Sequence, residues 1–382
     1  MGKLQIVILA VIIISVFMHA REQAACKDHY KNLIFKKQKD RILYLDTIRL
    51  IATLFVVLVH CLDFSSSNLK EGTVGLNVVR SLSSILMICN TLFIMNSGAL
   101  ILNKTYPSLR DFYRKRFTQV GIPFLCYYAI YLRLSTQYTG EGFLNGITKA
   151  VKDIAAGPID WAPHLWVIYV ILSLYLFAPF FAILLRHLSE PMLHSMVILI
   201  LLFRCISLYL PLFGISVDLD LMILPWEGTF LLGYYFAQPC ARKYKKTYLI
   251  LGAVSLVFTV ICAVFRTDYK AILLADGAPA MNLMGGALFL MLREKEHKLF
   301  LPGFITTFLT RYSYSILLVH WAVLYFVRER FAITENTFGL TGSTITSFFL
   351  VLVISAVFSF LFDQTVVYFI QRLFSRLNSL KK

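Results

Sequence analysis

Runs of roughly twenty apolar residues recur from one end of this chain to the other, each long enough to cross the hydrocarbon core of a bilayer. No water reaches the backbone in that layer, so such runs close their hydrogen bonds internally, as α-helices. Charged residues make up 15% of the 382, against the quarter or so usual in soluble domains, and 58% are hydrophobic. The mean hydropathy is +0.71. Spans are predicted near 44–64, 77–102, 119–138, 163–185, 193–213, 222–238, 247–265, 270–292, 311–328 and 344–371. The fold class is therefore an all-α polytopic membrane protein, a bundle of about ten transmembrane helices, with the lipid bilayer as an obligate partner.

A formal net charge of +16 would suit nucleic acid, but its distribution points elsewhere. Alternating the connections places 25 of the 37 Lys and Arg residues on one side, in 20–43, 103–118, Arg186, 242–246, 293–311 and the tail from Arg372. Ten fall on the other side, and only Lys3 and Arg49 remain. This is the positive-inside bias, which makes the basic side and the C-terminus cytoplasmic. Topology accounts for the charge, and no nucleic-acid partner is expected.

Seven cysteines lie scattered at 26, 61, 89, 126, 205, 240 and 262, without a C-x-x-C or a His/Cys cluster. Neither a disulfide framework nor a metal site is expected. The segment Leu4–Met18 is an apolar run too short for an ordinary span. Cleavage near Ala20–Ala25 would export the basic stretch Lys27–Arg41, so residues 1–40 are read as a short uncleaved anchor, or re-entrant segment, with a basic cytoplasmic stretch. Residues 41–382 form the membrane domain. No period of 20–50 residues repeats, and no pair of matching broken helices marks an inverted-repeat transporter.

Ionisable residues inside spans are costly and mark functional sites by default. The first span is the richest, with Asp46, Arg49, His60 and Asp63. Arg49 and His60 are eleven positions apart, which returns them to one helix face at a separation of roughly 16 Å along the axis. Asp46 lies one turn before Arg49, placed to pair with it. A cation near the cytoplasmic mouth suits a phosphate-bearing donor, and an imidazole at the far end suits a general base. The bland alternative is a packing helix with a headgroup ion pair and a satisfied histidine. Arg110, Arg114 and Arg116 follow the second span, where they are either ordinary cytoplasmic charge or a phosphate cradle. Glu227, His164 and Trp166 fall near outer span ends, and His320 lies mid-span as a bundle histidine or a cavity-lining group.

These residues resemble a known family. Tyr44-Leu-Asp46-Thr-Ile-Arg49-Leu-Ile-Ala52, running on to Val59-His60, is similar to the opening helix of the membrane-bound acyltransferase family 3, with its Arg-x10-His motif. Phe93-Ile-Met-Asn-Ser97-Gly98-Ala-Leu-Ile resembles its F-x-x-S-G-F-L-L stretch, with Ala99 in place of the usual large residue. Asp111-Phe-Tyr-Arg114-Lys-Arg116-Phe with Ile122-Pro123-Phe124 resembles its basic loop and third-helix entry. His164-Leu-Trp166-Val-Ile-Tyr169, then Leu174-Tyr175-Leu-Phe-Ala-Pro179, resembles its H-L-W-F-L…Y-L-x-x-P segment. Tyr312-Ser-Tyr314-Ser-Ile-Leu-Leu-Val-His320 resembles its S-Y-x-I-Y-L-x-H run. The likeness spans about residues 41–371 in the expected order.

The resemblance implies an O-acyltransferase of a bacterial inner membrane, closest to the short single-domain members that acetylate enterobacterial common antigen or O-antigen. It implies acetyl-coenzyme A, or another acyl-coenzyme A, as co-substrate and a glycan or lipid-linked oligosaccharide as acceptor. Arg110, Arg114 and Arg116 would then bind donor phosphates, and Arg49, buttressed by Asp46, would guide the donor inward. Ser97 and Gly98 would let a chain approach closely or polarise the thioester. His60 would deprotonate the acceptor or carry the acyl group, and His164, Trp166, Glu227 and His320 would face the acceptor. The principal rival is a polysaccharide or lipid-linked-sugar transporter, followed by a scaffold in an export assembly.

Overall fold

The computed structural model describes residues 42–135, 143–215, 225–265, 277–294 and 303–379. The anchor and basic segment expected over residues 1–40 lie outside the described residues. The chain opens with α1 (Leu43–Ser65), followed by α2 (Val74–Leu86) and α3 (Ile88–Ile101). Then come α4 (Leu109–Arg116), a π-helical turn (Phe117–Gly121), α5 (Ile122–Leu134) and α6 (Phe143–Ala156). Helices α7 (Trp166–Arg186), α8 (Glu190–Tyr209), α9 (Pro225–Ala237) and α10 (Lys245–Phe265) form the middle of the chain. The last are α11 (Pro279–Glu294), α12 (Gly303–Phe331), α13 (Glu335–Phe362), a second π-turn (Asp363–Val367) and α14 (Tyr368–Ser379). Among the described residues there is no strand.

Among the described residues, six helical runs are long and apolar enough to cross a membrane: Leu43–Ser65, Val74–Ile101, Pro163–Arg186, Glu190–Tyr209, Pro239–Phe265 and Glu335–Leu377. The remaining four expected spans fall on other helices. Described α5, α9 and α11 have 13, 13 and 16 residues, whereas α12 has 29 but carries Arg311, Arg328, Glu329 and Arg330. Two expected spans are less regular than the hydropathy suggests. The run at 77–102 breaks at Met87, whose ψ of −13° opens the helix between α2 and α3. The span expected at 344–371 is interrupted by the second π-turn, which is invisible to a hydropathy window, and the helical run that holds it, Glu335–Leu377, is broken near its start by Gly339, at φ 66°.

The packing follows membrane logic, in which van der Waals contact between small residues replaces a hydrophobic drive. Along α13, Ser343, Ser347, Ser355 and Ser359 are buried at four-residue intervals, with Val351 completing the stripe, while Phe349, Val353 and Val357 point outward. On α10, Ser255 and Thr259 are buried and Val254 and Val257 exposed. Helix α1 is the most enclosed of the six long runs, and it packs on α2, α3, α11, α12 and α13. The tightest crossing joins α3 to α9, where Gly98 abuts the Phe230 carbonyl and Gly233 abuts that of Met95. A side chain at either position would prevent that approach, so the Ser97-Gly98 pair places α3 before it does anything else.

Candidate functional site

Two cavities lie one above the other between α1, α3, α7 and α12, and α1 contributes to both. The first, of about 210 Å³, is basic: Arg49 of α1, Arg116 at the end of α4 and Arg311 of α12 all line it. Its wall is completed chiefly by Asn96 and Ser97 of α3, Tyr175 of α7 and Tyr314 of α12. The guanidinium of Arg116 stands 5.5 Å from the Phe112 ring centroid and 5.6 Å from that of Tyr175, which stacks and steers its planar group. Helix α4 is held in place by Ser108, whose hydroxyl caps it at Asp111 N, and by Tyr113, whose hydroxyl donates to the Leu176 carbonyl at 2.7 Å. Arg186 donates to the Lys104 carbonyl across the same turn. Tyr106, in that turn, donates to the Ile101 carbonyl at 2.6 Å. Burial raises its phenol above the ordinary range, against the opposing pull of Arg116.

The first π-turn matters here because it carries Gln119 and Val120 into the cavity wall. Tyr314 Oη donates to the Val120 carbonyl at 3.0 Å, and Gln371 Nε2 of α14 donates to that of Thr118 at 2.8 Å. Side chains from two other helices thus hold the irregular turn, as backbone at membrane depth requires. Within the cavity wall, Asn96 Oδ1 and Arg116 Nε are buried without a hydrogen-bond partner. Such orphaned groups are costly unless a ligand completes them.

The second cavity, of about 170 Å³, is lined by His60 of α1, His164, Trp166 and Val167 at the start of α7, and Trp321 of α12. Met87, Cys89 and Asn90 close its side, so the break at Met87 serves this wall. The rings are packed closely. His60 is 5.3 Å from His320 and 4.9 Å from Trp321 between centroids, and His164 is 4.9 Å from His320. A file of rings continues outward from Trp321 to Tyr325, at 5.9 Å, and on to the exposed Trp161, at 6.0 Å. A small side cavity of about 30 Å³ adjoins, bounded by Trp166, Trp226 and Asn90.

The hydrogen bonds assign the tautomers of two of these histidines. His320 Nδ1 faces the carbonyls of Leu317 at 2.9 Å and Ile316 at 3.2 Å, and a carbonyl only accepts. In the neutral ring, Nδ1 therefore carries the proton and Nε2 a bare lone pair. His164 Nε2 faces the Leu318 carbonyl at 3.3 Å and Tyr131 Oη at 3.4 Å, which leaves Nδ1 bare. Both bare nitrogens are buried and unpartnered, as are the indole N–H groups of Trp321 and Trp226. Tyr131 anchors the arrangement by donating to the Leu318 carbonyl at 2.9 Å and accepting from Ala322 N at 3.3 Å.

Arg49, Ser97 and Arg116 meet at the basic cavity and His60, His164 and Trp166 at the second, with His320 packed behind His60. Asp46 is buried one turn before Arg49. Arg110 is exposed, and neither it, Arg114 nor Glu227 lines either cavity. Sequence reasoning missed Arg311, Asn96 and Trp321. Arg311 had been absorbed into the positive-inside charge, and Asn96 and Trp321 sat unremarked beside Ser97 and His320. Among the described residues, no group of three His, Cys, Asp or Glu side chains is arranged to hold a metal ion.

A family model described as an acyltransferase domain matches residues 42–363, which includes every helix lining the two cavities. No curated protein and no solved structure matches the chain.

Proposed function

The chain belongs to acyltransferase family 3, and from that premise we propose that it transfers an acyl group, acetyl in the first instance, from cytoplasmic acyl-coenzyme A to a glycan hydroxyl on the far side of the membrane. The observation that carries this reading is the pair of stacked cavities, with Arg49 lining one and His60 the other on a single helix. A full bundle of about ten spans, with the basic cavity toward the cytoplasm, fits the bias of 25 among 37 Lys and Arg residues.

In this mechanism Arg49, Arg116 and Arg311 hold the anionic part of the donor by charge-assisted hydrogen bonds. Asn96 Oδ1 accepts from an amide N–H of the donor arm. The arm carries its thioester toward the second cavity, where the acceptor hydroxyl lies against His60. His60 removes the hydroxyl proton as the oxygen attacks the thioester carbonyl. The C–S bond then breaks, and the proton passes to the departing sulfur, giving ester and free thiol. The bare nitrogen of His164 and the indole N–H groups of Trp321 and Trp226 suit neighbouring sugar hydroxyls, which both donate and accept. The aromatic file from Trp161 to Trp321 offers faces for the sugar rings on the way in.

The test is transfer of radiolabel from acetyl-coenzyme A into glycan by membranes carrying wild type, His60→Ala or Arg49→Ala. Wild type should incorporate label, and His60→Ala should lose about 10²–10⁴-fold, the usual contribution of a general base. Arg49→Ala should fall to background at normal protein levels. Full activity in either variant would remove this mechanism. Coenzyme A should also protect the protein against heating, as any ligand of the folded state does. A transporter of lipid-linked sugars would show neither label transfer nor that protection.

A further inference from the structure

Among the described residues, the two cavities share a single lining residue. Leu317 of α12 lines both, whereas every other wall residue belongs to one or the other. It is 2% exposed, and it lies between Tyr314 in the wall of the basic cavity and Trp321 in the wall of the second. Two of the other helices repeat this division one turn apart, while on α1 Arg49 and Val56 divide it about two turns apart. On α7, Ile171 faces the basic cavity and Val167 the second, and on α3 Phe93 and Cys89 divide in the same way. The two spaces are therefore stacked, one turn apart along α3 and α7, and among the described residues Leu317 alone lines both.

We propose that Leu317 is the size filter of the transfer route: its side chain must swing aside for the acyl-thioester end to pass from the basic cavity to His60, and its bulk sets how large an acyl group can follow. This rests on the acyltransferase reading above. The side chain is the part free to move. Its backbone is fixed, because the Leu317 carbonyl accepts the hydrogen bond from His320 Nδ1 at 2.9 Å. A leucine changes rotamer between staggered wells without moving the helix. An ordinary core leucine would explain the burial, but it would not be the one residue common to two cavities whose contents must react with each other.

Full-length protein in membranes, as wild type, Leu317→Ala and Leu317→Trp, is given radiolabelled acetyl- or butyryl-coenzyme A, and coenzyme A protection against heating reports donor binding separately. Leu317→Ala should raise the butyryl-to-acetyl ratio of kcat/KM by about 10-fold or more, since a methylene or two of space discriminates on that scale. The ratio is unaffected by how much protein folds. Leu317→Trp should keep the protection by coenzyme A and lose transfer of both acyl groups by about 100-fold or more. An unchanged ratio in Leu317→Ala, or acetyl transfer at the wild-type rate in Leu317→Trp, overturns the filter while leaving the acyltransferase in place. A wild type that transfers no acyl group overturns the acyltransferase reading itself, and the filter falls with it.

Discussion

Replacing Gly98 with alanine should destabilise the bundle, although the same change in an exposed helix would stabilise it. A Cβ at position 98 would stand 1.9 Å from the Phe230 carbonyl oxygen and 2.9 Å from its carbon. Ordinary C···O contacts are about 3.3–3.6 Å, so α3 and α9 would have to part by roughly 1.4 Å or more. A radial gap of about 0.5–1 Å already forfeits a quarter to a half of the dispersion attraction across a contact, and the whole crossing would open. Overpacking of this kind costs about 1–3 kcal/mol, and the upper end applies because the obstructing atom is backbone that cannot rotate away. Alanine returns about 1 kcal/mol in helix propensity, which leaves a net loss of about 2 kcal/mol. Gly233→Ala should lose a similar amount, because its Cβ would meet the Met95 carbonyl oxygen at 2.0 Å. Once one substitution has separated the helices the second adds little, so the double variant should fall short of the sum by about 1 kcal/mol or more. The assay is thermal unfolding of the detergent-solubilised single and double variants. Either single variant matching or exceeding wild type, or strict additivity in the double, would refute the close-crossing argument.

Three further outcomes follow from named groups. Arg116→Ala and Arg311→Ala should each raise KM for acyl-coenzyme A about tenfold, the scale of one charge-assisted hydrogen bond, with kcat little changed. Arg110→Ala, exposed and away from the cavity, should leave both constants near wild type. Tyr131→Phe should cost about 1 kcal/mol in thermal unfolding, because it removes the hydroxyl shared by the Leu318 carbonyl and Ala322 N–H, of which the carbonyl keeps His164 Nε2 at 3.3 Å. Trp226→Phe removes an indole N–H that has no hydrogen-bond partner in the folded protein and shrinks a buried ring, so thermal unfolding should show a loss of about 1–2 kcal/mol from packing while KM for the acceptor rises. An acceptor KM at the wild-type value in that variant would mean the N–H is not turned to a ligand.

Much of this arrangement can be read from one helix. An α-helix returns to the same face after eleven residues, so the Arg49 and His60 spacing alone places them on one side of α1, and they do line vertically stacked cavities. Hydropathy likewise locates the long apolar runs, because lipid contact demands a continuous outer surface. It does not locate Met87, Gly339 or the two π-turns, since a one-residue irregularity leaves the average polarity of a window unchanged. Yet the break at Met87 and the turn at Phe117–Gly121 shape the walls of the two cavities. Their cause is tertiary: Tyr314 and Gln371, nearly two hundred and more than two hundred and fifty residues away in the chain, hold the turn.

Charge shows the same division between what is local and what is assembled. Counting arginines by loop groups Arg110, Arg114, Arg116 and Arg311 as cytoplasmic charge, because that bias is a property of each connection. It cannot rank them as ligands. On the short helix α4, Arg110 and Arg116 are six residues apart, about 240° around the axis, so they cannot share a face. Only the residue whose face meets α7 reaches the cavity, and Tyr113 sets that face by bonding to the Leu176 carbonyl. Arg311 arrives from a distant helix, α12, the same helix that carries Leu317, His320 and Trp321. One helix therefore presents a cation of the basic cavity, the apolar side chain between the cavities and rings packed around His60. On the acyltransferase reading, any displacement of α12 along its axis would change donor grip and acceptor environment together, whereas a side-chain replacement that leaves the helix in place, such as Arg311→Ala, should change one alone.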